Sequence, residues 1–214
     1  MLLQPHYAIG RMSAVRRIIA ANSFATLVTS SGDGLTASHL PALLDPEHDR
    51  GGDADDLVLI AHTARADPLS VELESGAEAL LVFQGAHGYI SPLWYDEAIA
   101  LPTWNFTVVH VYGIPKVLDG REAFAVLEHT IEHFESAQEP RWRLNDKCRQ
   151  YAKKLAPLIV PFRLRPRRVL AKAKLSQDKT PQTQRSVIEA LERPGAHSNP
   201  RLARDMRRAL GMPL

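Results

Sequence analysis

Side chains that could hold a small anion and cover a flat ring recur along this chain in five short blocks, each joined to a segment with strand character. The blocks are Ala37 to Pro41 (ASHLP), Ile60 to Pro68 (IAHTARADP), Phe83 to Pro92 (FQGAHGYISP), Pro102 to Phe106 (PTWNF) and Lys174 to Lys179 (KLSQDK). Strands fix positions while separate segments supply chemistry, which is how a β scaffold builds a ligand pocket. Arg65 follows a strand and precedes the helix start at Asp67-Pro68, so its guanidinium can join helix N–H groups in holding an anion, with the Thr63 hydroxyl alongside. A salt bridge from Arg65 to a nearby carboxylate is the equal alternative. Trp104 can cover a flat ring, and Asn105 offers both a donor and an acceptor. Core packing alone accounts for the tryptophan but not for the asparagine beside it. Lys174, Ser176 and Gln177 again gather three hydrogen-bonding side chains after a strand, with a solvated loop as the plain alternative. His39 and His62, taken singly, read as hydrogen-bonded core or rim histidines.

Other chemistry is weaker. His129-Thr-Ile-Glu132-His133 has the H-x-x-E-H spelling of some zinc peptidases. At helical spacing both histidines project opposite the apolar stripe Phe124, Leu127, Ile131 and Phe134, so a solvent face is expected there rather than a shielded metal site, and no metal ligand is assigned. Cys148, the only cysteine, excludes an intrachain disulfide and reads as an incidental thiol. Phosphate-cradling glycine loops and a nucleophile elbow are both missing from the sequence.

The elements that must position these residues follow from pattern. Helices are expected over Ser13 to Ala21, Arg121 to Ser136, Asp146 to Leu155, Thr180 to Glu192 and Arg201 to Leu210, with a short one opening at Asp67-Pro68. Strands are expected over Phe24 to Ser30 and Leu35 to Leu44, joined by a Ser31-Gly32-Asp33-Gly34 turn, then over Leu57 to Ala61, Ala79 to Phe83 (ended by Gly85 and Gly88), Thr103 to Leu118 and Leu158 to Lys172. Asp45 to Asp56 reads as a surface loop. Strands fill the middle without the strand-helix-strand rhythm of a parallel sheet, so a mainly antiparallel barrel with peripheral helices is expected. The division expected is a barrel over residues 1–178 and a helical extension over 179–214.

The apolar fraction of 45% suits a globular domain, and a formal net charge of +2 argues against a surface wholly devoted to nucleic acid. Basic residues still cluster at Arg163 to Lys174 and at Arg201 to Arg208. No export pattern or bilayer-length apolar run is apparent, so a cytoplasmic protein without membrane contact is expected.

The five blocks, in this order and spacing over roughly Gln4 to Leu191, resemble the PaiB-type family of FMN-binding negative transcriptional regulators. The chain departs from the family pattern at Asp178 and Asp67, where asparagine is usual, and at Phe106, where tyrosine is usual. The resemblance implies an antiparallel split β-barrel of the pyridoxamine-phosphate-oxidase-like type and a homodimer with FMN at the subunit interface. It also implies that Arg65 and Thr63 hold the phosphate with Lys174 or Gln177 assisting, and that Ser38, His39 and Leu40 line the ring and ribityl chain. Trp104 and Asn105, from the same or the partner subunit, would close the pocket, and His62 and Ser176 are counted among the cofactor-binding residues. DNA binding rests on the regulatory label and on the modest basic patches, since a tight helix-turn-helix is not evident in the sequence. The alternative is an FMN-dependent oxidoreductase, a flavin reductase or oxidase acting on a small molecule, in which His39 or His62 could serve as acid or base. Haem bound through one of these histidines is a third reading, which leaves the phosphate-type residues without a role.

Overall fold

A computed structural model describes residues 1–32, 34–48, 57–97 and 100–213. Its eight strands are β1 (Phe24–Ser31), β2 (Gly34–Leu44), β3 (Leu59–Ala64), β4 (Ala79–Ile90), β5 (Thr103–Gly113), β6 (Pro115–Val117), β7 (Ile159–Leu164) and β8 (Arg168–Lys174). They form one sheet in the order β6-β7-β3-β2-β1-β4-β5-β8. The pairs β1–β2, β1–β4, β2–β3, β3–β7 and β6–β7 are antiparallel. Among the described residues six α-helices accompany them: α1 (Met12–Ala21), α2 (Leu69–Glu74), α3 (Gly120–Glu135), α4 (Asp146–Leu155), α5 (Pro181–Glu192) and α6 (Pro200–Ala209). The antiparallel sheet with peripheral helices is the expected fold. Asp33 and most of the acidic stretch, 49–56, lie outside the described residues.

The chain forms two compact units. One comprises residues 19–83 and 110–169, the other 1–18, 84–109 and 170–214. The first unit is organised by the β1–β2 hairpin, in which Ser31 faces Gly34 and Phe24 faces Pro41. Gly34 has φ +112°, a backbone region that a side chain would strain. Ala25, Leu27 and Thr29 alternate inward along β1, and Leu81, Phe83, Phe162 and Leu164 are fully buried. Arg163 on β7 gathers three carboxylates. Its Nε donates to Asp45 at 2.6 Å, Nη2 reaches Glu47 at 3.3 Å, and Nη1 lies 3.5 Å from Glu122. Burial pushes the Asp45 carboxyl up, but hydrogen bonds from Arg163, the Glu47 N–H and His48 outweigh it and leave the group below its ordinary value. Asp45, Glu47 and His48 are the one group among the described residues close enough to share a metal ion, and the Arg163 guanidinium already neutralises two of them.

Several sequence expectations change, among them the expected strand Leu158 to Lys172, which is two strands, β7 and β8. Strand β4 runs through Gly85 and Gly88 to Ile90 instead of ending at Phe83. The expected strand Thr103 to Leu118 is two strands, β5 and β6, separated at residue 114. On α3 the buried residues are Ala123 and Val126, not the stripe of larger side chains, and Phe134 remains 44% exposed. Small residues let the helix approach closely, and Val126 joins Leu43, Ile60 and Leu118 in one cluster. Phe124 is instead covered from outside by the cations of Arg149 and Lys153 on α4, 6.0 and 5.5 Å from its ring centre. His129 is therefore half-buried rather than on a solvent face. Burial and the charge of His133 hold its imidazole below the ordinary value.

In the second unit α5 and α6 share a core with the sheet. Val187, Ile188, Leu191, Leu202 and Met206 pack with Ala86, Ile90, Ala173 and Leu175. Asn199 joins these layers: its Oδ1 accepts from Leu202 N–H, capping α6, and its Nδ2 donates to the His87 carbonyl at 2.9 Å. Asn199→Ala removes both bonds and should cost about 1–2 kcal/mol. A thermal melt should register this as a midpoint lower by roughly 2–8 °C.

Candidate functional site

The predicted site residues fall into two clusters, one in each unit. In the first, Ser38, His39 and Leu40 lie on β2 opposite Leu27, Thr26 and Ala25 of β1. Leu40 is buried, Ser38 half-buried and His39 exposed. The His39 ring lies nearly parallel to the exposed Phe24 ring, with centroids 6.3 Å apart. Strand β3 extends to Ala64, so His62 and Thr63 are strand residues facing Pro161 and Val160 of β7 rather than loop residues. Thr63 is buried.

Arg65 emerges at the end of β3 with its guanidinium fixed by carbonyl groups: Nε donates to Pro157 O at 2.8 Å and Nη2 to Ile159 O at 3.1 Å. Its own carbonyl accepts from the Ser70 hydroxyl. Asp67 Oδ1 accepts from Leu69 N–H, so the start of α2 is closed by its own sequence. The guanidinium is thus set in one plane by backbone.

His62 Nδ1 is buried without a hydrogen-bond partner, and burial holds this imidazole below the ordinary histidine value of 6.5. The folded protein resists the proton that the unfolded chain accepts. Its stabilising contribution is therefore full above pH 6.5 and is lost as pH falls below that value toward the folded pKa. His62→Gln should flatten the loss of thermal stability between about pH 7.5 and pH 5.5, measured against the parent protein.

The second cluster joins β5, β8 and the turn after β8. Asn105 is 1% exposed, and its Nδ2 donates to Ser176 Oγ at 2.9 Å and to Met206 Sδ at 3.6 Å. Its Oδ1 has no partner. Ser176 adopts φ +64°, a costly backbone region for a side chain with a Cβ, and its carbonyl is held there by Lys179 N–H and Gln184 Nε2, both at 3.1 Å. Lys174 Nζ donates to the Thr103 hydroxyl and, at 3.0 Å, to the Trp104 carbonyl. Burial pulls this ammonium below the ordinary lysine value; Asp178 opposes the shift and the charges of Lys172 and Lys179 add to it.

These groups border a cavity of about 380 Å³, with Tyr95, Asp178 and Lys179 on its other walls. The Tyr95 hydroxyl is also without a partner. Gln177 is not offered to this cavity. Its Oε1 accepts from Leu175 N–H and its Nε2 donates to the Ala173 carbonyl, both at 2.6 Å, so its amide closes the turn. Asp178, one of the three departures noted from the sequence, accepts a hydrogen bond from Tyr7 and lies 3.8 Å from Lys179. Burial first, then the Asp178 carboxylate, push the Tyr7 hydroxyl up to about 12.

Trp104 is 54% exposed and sits in an aromatic group that was not assigned from sequence. His87 lies nearly parallel to it at 6.4 Å and Tyr89 meets it edge-on at 6.3 Å. His87 and Tyr89 are two residues apart on β4, which places them on one face; the signal was their alternation within the FQGAHGYISP block.

Comparison with known proteins agrees with this architecture. Residues 1–168 match the family model described as "Putative FMN-binding domain". The chain is 27% identical over 192 residues to the protease synthase and sporulation protein PAI 2 of Bacillus subtilis, covering 90% of this chain and 89% of that protein. In fold it is similar to a flavocytochrome from Azotobacter vinelandii, with TM-score 0.59, 14% identity, and coverage of 80% of this chain and 72% of that one. It is likewise similar to an FAD- and haem-binding protein from Mycobacterium smegmatis, with TM-score 0.61, 12% identity, and coverage of 89% and 82%.

Proposed function

Because the chain belongs to the FMN-binding-domain family, we propose that it is a flavoprotein that binds FMN at the interface of a homodimer and serves, as PaiB-type relatives are expected to, in negative control of transcription in the cytoplasm. The observation that carries the cofactor reading is Asn105, a residue 1% exposed whose carboxamide oxygen is unpartnered and which lines a cavity that also presents two lysines. A buried acceptor without a donor costs about 1–3 kcal/mol, and a ligand N–H supplies what is missing. Asn105, Ser176 and Lys174 would address the polar edge of the isoalloxazine, with the exposed Trp104 face covering a ring. Arg65, already fixed in plane, and the Thr63 hydroxyl would take the phosphate, because paired cationic and neutral donors suit a dianion. Ser38, His39 and Leu40 would line the remainder. Gln177 acts by holding the turn that carries Ser176.

When bound, FMN supplies one- and two-electron redox chemistry. The residues named here bind and orient it, and His62, kept neutral by burial, contributes no charge at physiological pH.

An absorption spectrum of the purified protein tests the reading, with expected flavin bands and FMN identified in the supernatant after denaturation. A Soret band, or a protein that neither carries nor takes up FMN, would sink it. Size-exclusion chromatography with light scattering should report twice the chain mass. A gel shift at two salt concentrations tests for phosphate contacts, which must weaken as salt rises. Rapid bleaching of the flavin by NADPH with turnover of an acceptor would favour the oxidoreductase alternative over a purely regulatory role.

A further inference from the structure

A separate cavity of about 270 Å³ lies between the N-terminal segment, α1, β8 and α6. None of its lining residues borders the Asn105 cavity. The segment Ala173 to Asp178 serves both by alternation: Lys174, Ser176 and Asp178 border the Asn105 cavity, whereas Ala173, Leu175 and Gln177 border this one. Leu175, Asp205 and Arg208 also lie beyond the residues matched by the family model, which end at 168.

Two kinds of surface meet here. Ile9, Ala14, Ile18 and Leu175 supply an apolar wall, and Arg11, Arg17 and Arg208 supply guanidinium groups. The one carboxylate in the lining is Asp205, 3.3 Å from Arg208 Nη1. Asp205 also feels Arg201, Arg204 and Arg17, yet burial outweighs these cations and raises its pKa. The lining itself presents three guanidinium groups, Arg11, Arg17 and Arg208, to the single carboxylate of Asp205, so cationic groups outnumber anionic ones next to apolar surface. Gln177 adds no polar demand, since its amide is satisfied within its own turn.

We propose that this cavity binds a small amphipathic anion, an apolar body of roughly ten non-hydrogen atoms bearing one anionic head, as a site separate from the flavin pocket. The apolar body lies against Ala14, Ile18 and Leu175, and the head is held by Arg17 and Arg208 through charge-assisted hydrogen bonds. The volume lies just below the usual range for ligand cavities, which suits a ligand the size of a medium-chain carboxylate.

Isothermal titration of the 214-residue protein as purified, with octanoate as the probe, decides the matter. One equivalent should bind, with 1-octanol and inorganic phosphate each at least about tenfold weaker because each offers half of the recognised chemistry. Arg17→Ala with Arg208→Ala should weaken octanoate at least about tenfold, and Ala14→Trp should abolish binding by filling the cavity. Asp205→Asn should tighten it by removing the competing carboxylate. Flavin content and thermal midpoint should hold in the arginine variant, whose altered side chains are exposed. Absence of octanoate binding in the parent protein, equal affinity for inorganic phosphate, undiminished affinity in the arginine variant, or loss of flavin together with octanoate would each overturn the proposal.

Discussion

Replacing Gly85 by alanine should destabilise the protein by about 2–3 kcal/mol, and removing the Thr107 side chain should return most of that loss. A Cβ built on Gly85 would lie 1.9 Å from Thr107 Oγ1 and 3.1 Å from Thr107 Cβ. Thr107 is buried, and a β-branched side chain has few rotamers in which to retreat. The new methyl must therefore displace backbone on β4 or β5 or force an off-rotamer threonine, either of which costs on the order of 1–3 kcal/mol. Gly85→Ala should lower the thermal midpoint by roughly 4–12 °C in a protein of this size. In Gly85→Ala with Thr107→Ala the nearest threonine atom left is Cβ at 3.1 Å, a contact that small shifts can absorb. The double variant should then be more stable than the sum of the single changes by at least about 1 kcal/mol. Strict additivity would mean that the threonine hydroxyl is not what excludes a side chain at this position.

Asn105→Leu should separate binding from stability. In the ligand-free protein the change removes the hydrogen bond to Ser176, worth about 1 kcal/mol, together with an unpaired buried acceptor that costs about 1–3 kcal/mol. The side chains are close in volume, so the melting midpoint of flavin-stripped protein should hold or rise by the equivalent of up to about 2 kcal/mol. Flavin affinity should nevertheless fall about 10- to 100-fold, since the site loses the acceptor whose partner the cofactor would provide. Fluorescence titration of stripped protein with FMN measures the second effect and calorimetry the first. A large stability loss with unchanged FMN affinity would assign Asn105 to the core and leave Trp104 and the lysines without their anchor.

Both predictions turn on residues whose types were visible but whose circumstances were not. Gly85 reads as a strand breaker in the sequence, because glycine lacks a side chain to pack and weakens strands. In the fold it is the residue that lets β4 continue beside a buried threonine. Asn105 is conspicuous as a polar residue next to Trp104, but its burial depends on Ser176 and Met206, 71 and 101 residues away. Arg65 is a plausible anion ligand from its position after a strand. That its guanidinium is braced by the carbonyls of Pro157 and Ile159 follows only from the pairing of β3 with β7.

What the sequence by itself determined is local. The caps, prolines and glycines that bound α4, α5 and the β1–β2 hairpin act within a few residues, and the structure places those elements within one residue of their expected limits, with α2 starting just after Asp67-Pro68. Apolar alternation on β1 needs no partner to be read. The antiparallel class follows from the lack of a strand-helix-strand rhythm, and the five blocks carry the family. Tertiary structure decided which face of a helix is buried and which polar atom finds a partner. On α3 the stripe of large side chains and the small pair Ala123 and Val126 are both legitimate helical faces. Close approach to Leu43 and Ile60 selects the small one, whereas Phe124 finds its cover in two cations on α4. Hydrogen-bond satisfaction is likewise a property of the assembled surroundings: the carboxamide of Gln177 is spent on its own turn, and that of Asn105, a residue lining a cavity, keeps one buried atom unpaired.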